Sequence, residues 1–144
     1  MNHFITEVNH GYFWRRIKVS HFEGGGINNM SDNIQSFLPV REPTFFILLS
    51  LSAGPRHGYA ILKDVENISH ERVSLSTSTL YTAIKRLQEL EWISREEDSS
   101  SRASGRERKI YSLTDIGRRV LTTEVARLNS LLLAANQRAI GENI

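Results

Sequence analysis

The chain contains no cysteine. Disulfides, thiolate metal sites and cysteine nucleophiles are therefore excluded. Long apolar runs are also missing. The stretch Phe45-Phe46-Ile47-Leu48-Leu49 is far too short to cross a bilayer. The first residues lack the unbroken apolar segment of a secretory signal, so a cytoplasmic location is the expectation. Charge of one sign is scarce: 18 basic against 16 acidic residues leave a formal net charge of +2. That is far below the excess with which a protein coats polyanions without selectivity. Enzymatic signatures are lacking too. There is no phosphate-cradling glycine loop, no Ser-x-x-Lys or Gly-x-Ser-x-Gly motif and no histidine pair at metal spacing. His3, His10 and His21 are scattered. Glu96, Glu97 and Asp98 do not make a catalytic dyad, because neighbouring strand residues point to opposite faces. No catalysis, cofactor or metal is expected.

What is present suits one soluble domain: 144 residues, 40% hydrophobic and 24% charged. Residues 1–40 differ from the rest. They carry the Gly24-Gly25-Gly26 run, scattered aromatics (Phe4, Tyr12, Phe13, Trp14, Phe22) and no sustained period, and are expected to form a disordered extension. Glu23-Gly24-Gly25-Gly26 is what a purine-rich ribosome-binding site gives when translated in frame. It lies just upstream of Met30, which makes Met30 the expected natural start. The competing reading is a genuine disordered arm that leaves Arg15, Arg16 and Lys18 free to meet a polyanion.

From Pro43 the pattern sharpens. Proline suits a first helical turn, where its missing N–H would have been unpaired anyway. Phe45, Phe46, Leu48, Leu49 and Leu51 make this helix apolar nearly all round, so it belongs at the centre, and Gly54-Pro55 stops it. A second helix spans about Gly58 to Ile68, with Ile61, Leu62, Val65 and Ile68 on its apolar face. A third follows Ser74-Leu75-Ser76, with Ser76 as N-cap, since its hydroxyl can accept the free N–H groups of the first turn. Leu80, Ala83, Ile84, Leu87 and Leu90 face the core, while Ser78, Tyr81, Thr82, Lys85 and Glu89 face outward.

Trp92 and Ile93 begin a strand, 99–105 is a polar turn, and Lys109 to Leu113 alternates as the return strand. Thr114-Asp115-Ile116-Gly117 opens a last helix to about Ala139, followed by a short tail over 140–144. The order gives a mainly α fold with a small two-stranded β-wing: a winged helix-turn-helix over 41–113, then a C-terminal helix over 114–139.

Three motifs follow one another at compact spacing: Arg56-His57-Gly58-Tyr59-Ala60-Ile61, Ser78-Thr79-Leu80-Tyr81-Thr82-Ala83-Ile84-Lys85-Arg86-Leu87 and Arg106-Glu107-Arg108-Lys109-Ile110-Tyr111-Ser112-Leu113-Thr114. Together they resemble the PadR family of bacterial transcriptional regulators, from Pro43 to Leu121. The single terminal helix resembles the smaller subgroup. The resemblance implies a homodimer whose C-terminal helices pair and set two recognition helices on a pseudo-palindromic operator, with half-sites about one helical turn apart. It also implies repression relieved by a small, often aromatic, effector, bound near the dimer interface between the first and last helices. The chain departs from the family at Glu91, where glycine is common after the recognition helix.

In a helix-turn-helix module the first residues of the recognition helix come closest to base edges. Here these are Ser76, Thr77, Ser78, Thr79, Tyr81 and Thr82, with Lys85 a turn further on. Hydroxyls reach phosphates or bases, and threonine methyls suit a thymine methyl. The same run also reads as a well-capped polar helix start. Tyr81 either donates to a phosphate or packs its ring on the second helix. Tyr59 either contacts the DNA backbone or packs on the recognition helix. His57 reads as a capping or turn residue rather than a ligand.

Arg102 and Arg106 in the wing loop, with Lys109 on the return strand, suit phosphates or a narrow minor groove. A solvated hairpin tip explains the same loop. Leu121, Val125, Leu128, Leu132 and Ala135, at steps of three and four, form the expected dimer interface. Trp92 is a candidate for core packing alone. The main alternative function is a winged-helix module that binds protein, favoured by Glu89, Glu91, Glu96, Glu97 and Asp98.

Overall fold

The computed structural model describes residues 34–98 and 108–138. Its elements run α1 (Glu42–Ser52), β1 (Arg56–His57), α2 (Gly58–Ile68), α3 (Thr77–Glu89), β2 (Ile93–Glu97), β3 (Lys109–Leu113) and α4 (Asp115–Gln137). This is a mainly helical winged-helix fold with a C-terminal helix. Pro43 stands in the first turn of α1. Ile47, Leu48 and Leu51 of that helix are buried at 0–1% exposure, with Phe45 and Phe46 packed around them. As its all-round apolar character requires, α1 is central, touching α2, α4 and β3.

Ile61 and Val65 from α2, Leu80, Ile84 and Leu87 from α3, and Val120 and Leu121 from α4 complete the core. Burying each of these aliphatic side chains contributes roughly 1.5–3 kcal/mol.

The expected two-stranded wing is present as β2 and β3, and a short third strand joins it. The sheet has three antiparallel strands in the order β1-β3-β2. Arg56 pairs with Tyr111 and His57 with Ile110, so the residues read as a capping turn before α2 also form a short edge strand. On the other side Ile93 pairs with Leu113, Arg95 with Tyr111, and Glu97 with Lys109. The Asp98 N–H donates to the Arg108 carbonyl at 2.9 Å and closes the wing below its loop.

The expected disordered extension is corrected at its end. Ile34 is buried at 7% exposure in the core. The Phe37 ring meets Trp92 edge-on with centroids 5.4 Å apart, and Val40 also packs on the core. Three large or β-branched apolar groups within seven positions are sufficient to dock a segment that shows no helical or strand period. The expectations for residues 1–33, Met30 among them, lie outside the described residues.

Both α2 and α3 end in left-handed residues that are not glycine. His70 and Glu71 have φ of 51° and 62°, and Glu91 has φ of 59°. After α3 the Trp92 N–H donates to Leu87 O and the Glu91 N–H to Gln88 O, each at 2.9 Å. This is the Schellman pattern, completed by Trp92 and Leu87 side by side in the core. Glu91 thus takes the conformation that the family assigns to glycine.

Candidate nucleic-acid interface

Helix α3 is held by one face and free on the other. Leu80, Ile84 and Leu87 are buried, whereas Ser76, Thr77, Ser78, Thr79, Tyr81, Thr82 and Lys85 are all exposed. The start of the helix is organised by Ser76. Its Oγ accepts the Thr79 N–H at 3.2 Å and lies 2.7 Å from Thr79 Oγ1 and 3.1 Å from Ser78 Oγ. Thr82 Oγ1 donates to Ser78 O at 2.9 Å. The hydroxyls of Ser76 and Thr79 are therefore engaged in the cap. Thr77, and Lys85 about two turns further on, have no side-chain partner among the described residues. The cap fixes the backbone of the first turn, where unpaired N–H groups favour an anion.

Tyr81 lies back on α2. A Cβ built on Gly58 would stand 2.6 Å from Tyr81 Oη and 3.0 Å from Cζ. The ring therefore spans to the first turn of α2, with 46% of the residue still exposed. Of the two readings open in the sequence, the packed one describes this geometry. Behind it stands Tyr111, whose phenol is raised above its ordinary value by burial first, with Tyr81 adding to the effect and Arg95 opposing it. Tyr59 projects outward at 71% exposure, its ring 5.9 Å from Lys63 Nζ.

The sheet adds a residue that the sequence hid. Arg95, Tyr111 and Arg56 stand in one cross-strand row, and Lys109 lies two positions from Tyr111 on the same face. Glu97, paired with Lys109, lies on that face as well. Arg95 and Lys109 are both exposed there. Arg56 is engaged instead, donating from Nε to Ser50 O at 3.1 Å and facing Asp64 at 3.5 Å. Arg95 immediately precedes Glu96-Glu97-Asp98, and that acidic cluster masked it. The signal that finds it is alternation, which separates Arg95 from Glu96.

His57 holds the base of the wing. Its Nε2 lies 3.4 Å from Asp98 Oδ2 and its Nδ1 3.3 Å from Lys109 O, although its side chain makes no capping bond to α2. Arg102 and Arg106 lie outside the described residues. Among the described residues no cluster of histidine and carboxylate groups is arranged to hold a metal ion, and no helix is long and apolar enough to cross a membrane.

Comparison with known proteins completes the picture. A family model described as the transcriptional regulator PadR-like family matches residues 47–123. The chain belongs to that family. A PadR family transcription regulator from hypervirulent Clostridium difficile shares the fold at 24% identity and TM-score 0.58, covering 69% of this chain and 99% of that one. A PadR family transcriptional regulator from Eggerthella lenta matches at 25% identity and TM-score 0.52, covering 76% and 94%. Bacillus subtilis PadR in complex with operator DNA matches at 26% identity and TM-score 0.53, covering 59% of this chain and 48% of that one. No relative is found among the curated proteins.

The PadR-like match ends at residue 123, just before α4 changes character. Val120, Leu121 and Glu124 are buried against the rest of the domain. Leu121, expected at a dimer interface, is corrected to the protomer's own core at 2% exposure. Val125 is half-buried on that core. Beyond it Leu128, Leu131, Leu132 and Leu133 are 40%, 54%, 58% and 53% exposed, with Ala135 half-buried. At 23 residues α4 is about 34 Å long, and its second half leaves the domain.

Proposed function

We propose that this PadR-like chain is a sequence-specific regulator that binds double-stranded DNA as a homodimer. Helix α3 of each protomer enters the major groove at one half-site of a pseudo-palindromic operator. The observation that carries the reading is the exposed first half of α3. Thr77, Ser78, Thr82 and Lys85 are exposed on a helix whose opposite face is locked in the core. Lys109 and Arg95 extend the same surface along the sheet, where cations meet flanking phosphates. Arg102 and Arg106 belong to the wing loop that prolongs it. The likeness to a PadR bound to operator DNA supports the reading.

The dimer half of the proposal rests on the exposed leucines of α4. Four large apolar side chains on a protruding helix suit pairing with a second copy of the same helix. The effector half follows the family: a repressor released by a small aromatic molecule. The depression formed by Lys63, Glu66 and Asn67 of α2 with His70 and Glu71 of the turn after it is open and polar and gives such a molecule no apolar walls. A site between protomers, bounded by α1 and α4, suits it better.

The test is fluorescence anisotropy of the purified chain with duplex DNA from upstream of its own gene, against an unrelated duplex, in moderate and high salt. Preference for the upstream duplex that weakens steeply with salt is the expected result. Equal weak binding to both duplexes, insensitive to salt, would instead favour a winged helix that meets protein, for which the exposed Glu89, Glu91, Glu96 and Glu97 beside the site would be the contacts.

A further inference from the structure

Gly58 begins α2 with an ordinary right-handed backbone; Gly54 is the glycine with positive φ among the described residues. Conformational freedom therefore does not explain a glycine at this position. Space does. A Cβ there would meet Tyr81 Oη at 2.6 Å, Cζ at 3.0 Å and Cε1 at 3.3 Å. The first is closer than real side chains approach, and the others are tight. Tyr81 sits on the outward half of α3, one turn from the Ser76 cap, so whatever fixes its ring fixes the rotation of the helix start against α2. Tyr81 in turn adds to the rise that burial gives the phenol of Tyr111, in the central strand of the sheet. The ring of Tyr81 thus lies against the first turn of α2.

We propose that Gly58 is a positioning residue: the missing side chain forms a notch that seats the Tyr81 phenol, and this seat sets recognition helix α3 against α2. The inference rests on the DNA-binding reading for its consequence, but not for its geometry. At a helix start without steric conflict, alanine is the better residue and raises stability. At Gly58 it must displace Tyr81.

The test is a cycle of the full chain, Gly58→Ala, Tyr81→Phe and the double variant, read by thermal melting and by anisotropy on the upstream and unrelated duplexes. Gly58→Ala is expected to lower the melting temperature by several degrees. It should also cut the preference for the upstream duplex on the order of tenfold, the size of about one mismatched base pair. In the Tyr81→Phe background the nearest clashing atom is gone, so the same alanine is expected to restore both readouts. A rise in melting temperature for Gly58→Ala alone overturns the notch. Recovery of melting temperature without recovery of duplex preference overturns the positioning role, because the phenol oxygen would then be the contact that DNA needs. If the parent chain prefers neither duplex, the DNA-binding reading fails. The melting cycle still decides whether Gly58 seats Tyr81.

Discussion

Gly117 and Trp92 meet backbone to backbone. A Cβ on Gly117 would lie 2.0 Å from the Trp92 carbonyl oxygen and 2.9 Å from Leu113 Cδ1. Thr114 stitches the same junction. Its N–H donates to Trp92 O at 3.0 Å, its hydroxyl donates to Glu91 O at 2.5 Å, and its oxygen accepts the Gly117 N–H at 3.0 Å. The first turn of α4 is therefore laid on the turn that ends α3. A change in the direction of α4 would bear on the end of the recognition helix through this joint.

Gly117→Ala is expected to be severe. The clash is with backbone, which cannot rotate away, so the start of α4 must lift from Trp92. A loss of about 3 kcal/mol is expected, at the upper end of what overpacking costs. Urea unfolding followed by circular dichroism measures it as a lowered midpoint. An unchanged midpoint would mean that α4 and the α3 turn are not in this contact.

Glu91→Gly should act in the opposite direction. A non-glycine residue in the left-handed region costs roughly 1–2 kcal/mol, part of which glycine returns to the more flexible unfolded chain. With φ of 59° at Glu91, a net gain of about 0.5–1 kcal/mol is expected. The same unfolding measurement reads it. Destabilisation would show that the Glu91 side chain supports the turn in some other way.

These two sites illustrate what sequence carries and what it does not. Local rules located the Ser76 cap, the bounds of α2 and the apolar α1, because each depends on neighbours within one turn, whereas the left-handed position at 91 was legible only through the family resemblance. Strand β1 was not legible: Arg56-His57 has no strand pattern of its own and is a strand only because Tyr111 and Ile110 arrive beside it. Gly58 and Gly117 read alike as helix-start glycines, and only distant partners distinguish the notch from the backbone joint. Leu121 and Leu128 are alike in periodicity, yet one is in the core and the other at the surface. The difference is where α4 leaves the domain, which a helical period does not record.

Glu124 gives stability a pH dependence. It is buried at 2% exposure and accepts from Arg127 Nε at 2.8 Å and from Arg127 NH2 at 2.6 Å. The Arg127 hydrogen bonds, helped by the charge of that guanidinium and by the Val40 backbone, outweigh burial and hold the carboxyl below its ordinary value. A depressed carboxyl stabilises the fold fully above the ordinary carboxylate range and loses that contribution as pH falls through it. Glu124→Gln should therefore cost about 1–2 kcal/mol at neutral pH. The gap between parent and variant should narrow as the solution is acidified. A gap constant from neutral to acid pH would mean that the charge of Glu124 contributes nothing.

The exposed leucines of α4 make the oligomeric state testable. Leu128→Asp with Leu132→Asp puts two charges on the stripe while leaving Val120 and Leu121 untouched in the core. Sedimentation should show a monomer in place of a dimer, with helical content kept. Operator affinity should fall as well, because two half-sites are no longer read together. If the variant still sediments as a dimer, another surface pairs the protomers.

Lys85 on α3 and Arg95 and Lys109 on the sheet are exposed cations, and only Lys85 and Lys109 stand in stretches that the sequence marks as basic or hydroxyl-rich. Each cation that meets a phosphate adds about 0.9 to the slope of log affinity against log salt. Arg95→Ala should reduce that slope by about 0.9 per protomer and weaken the upstream and unrelated duplexes alike, since phosphate contacts carry no sequence. Lys85→Ala combined with Arg106→Ala should weaken binding further while the dimer remains intact by sedimentation. Anisotropy titrations across a salt series read all three positions. A slope unchanged by Arg95→Ala would remove the sheet face from the interface and confine the contacts to α3 and the wing loop.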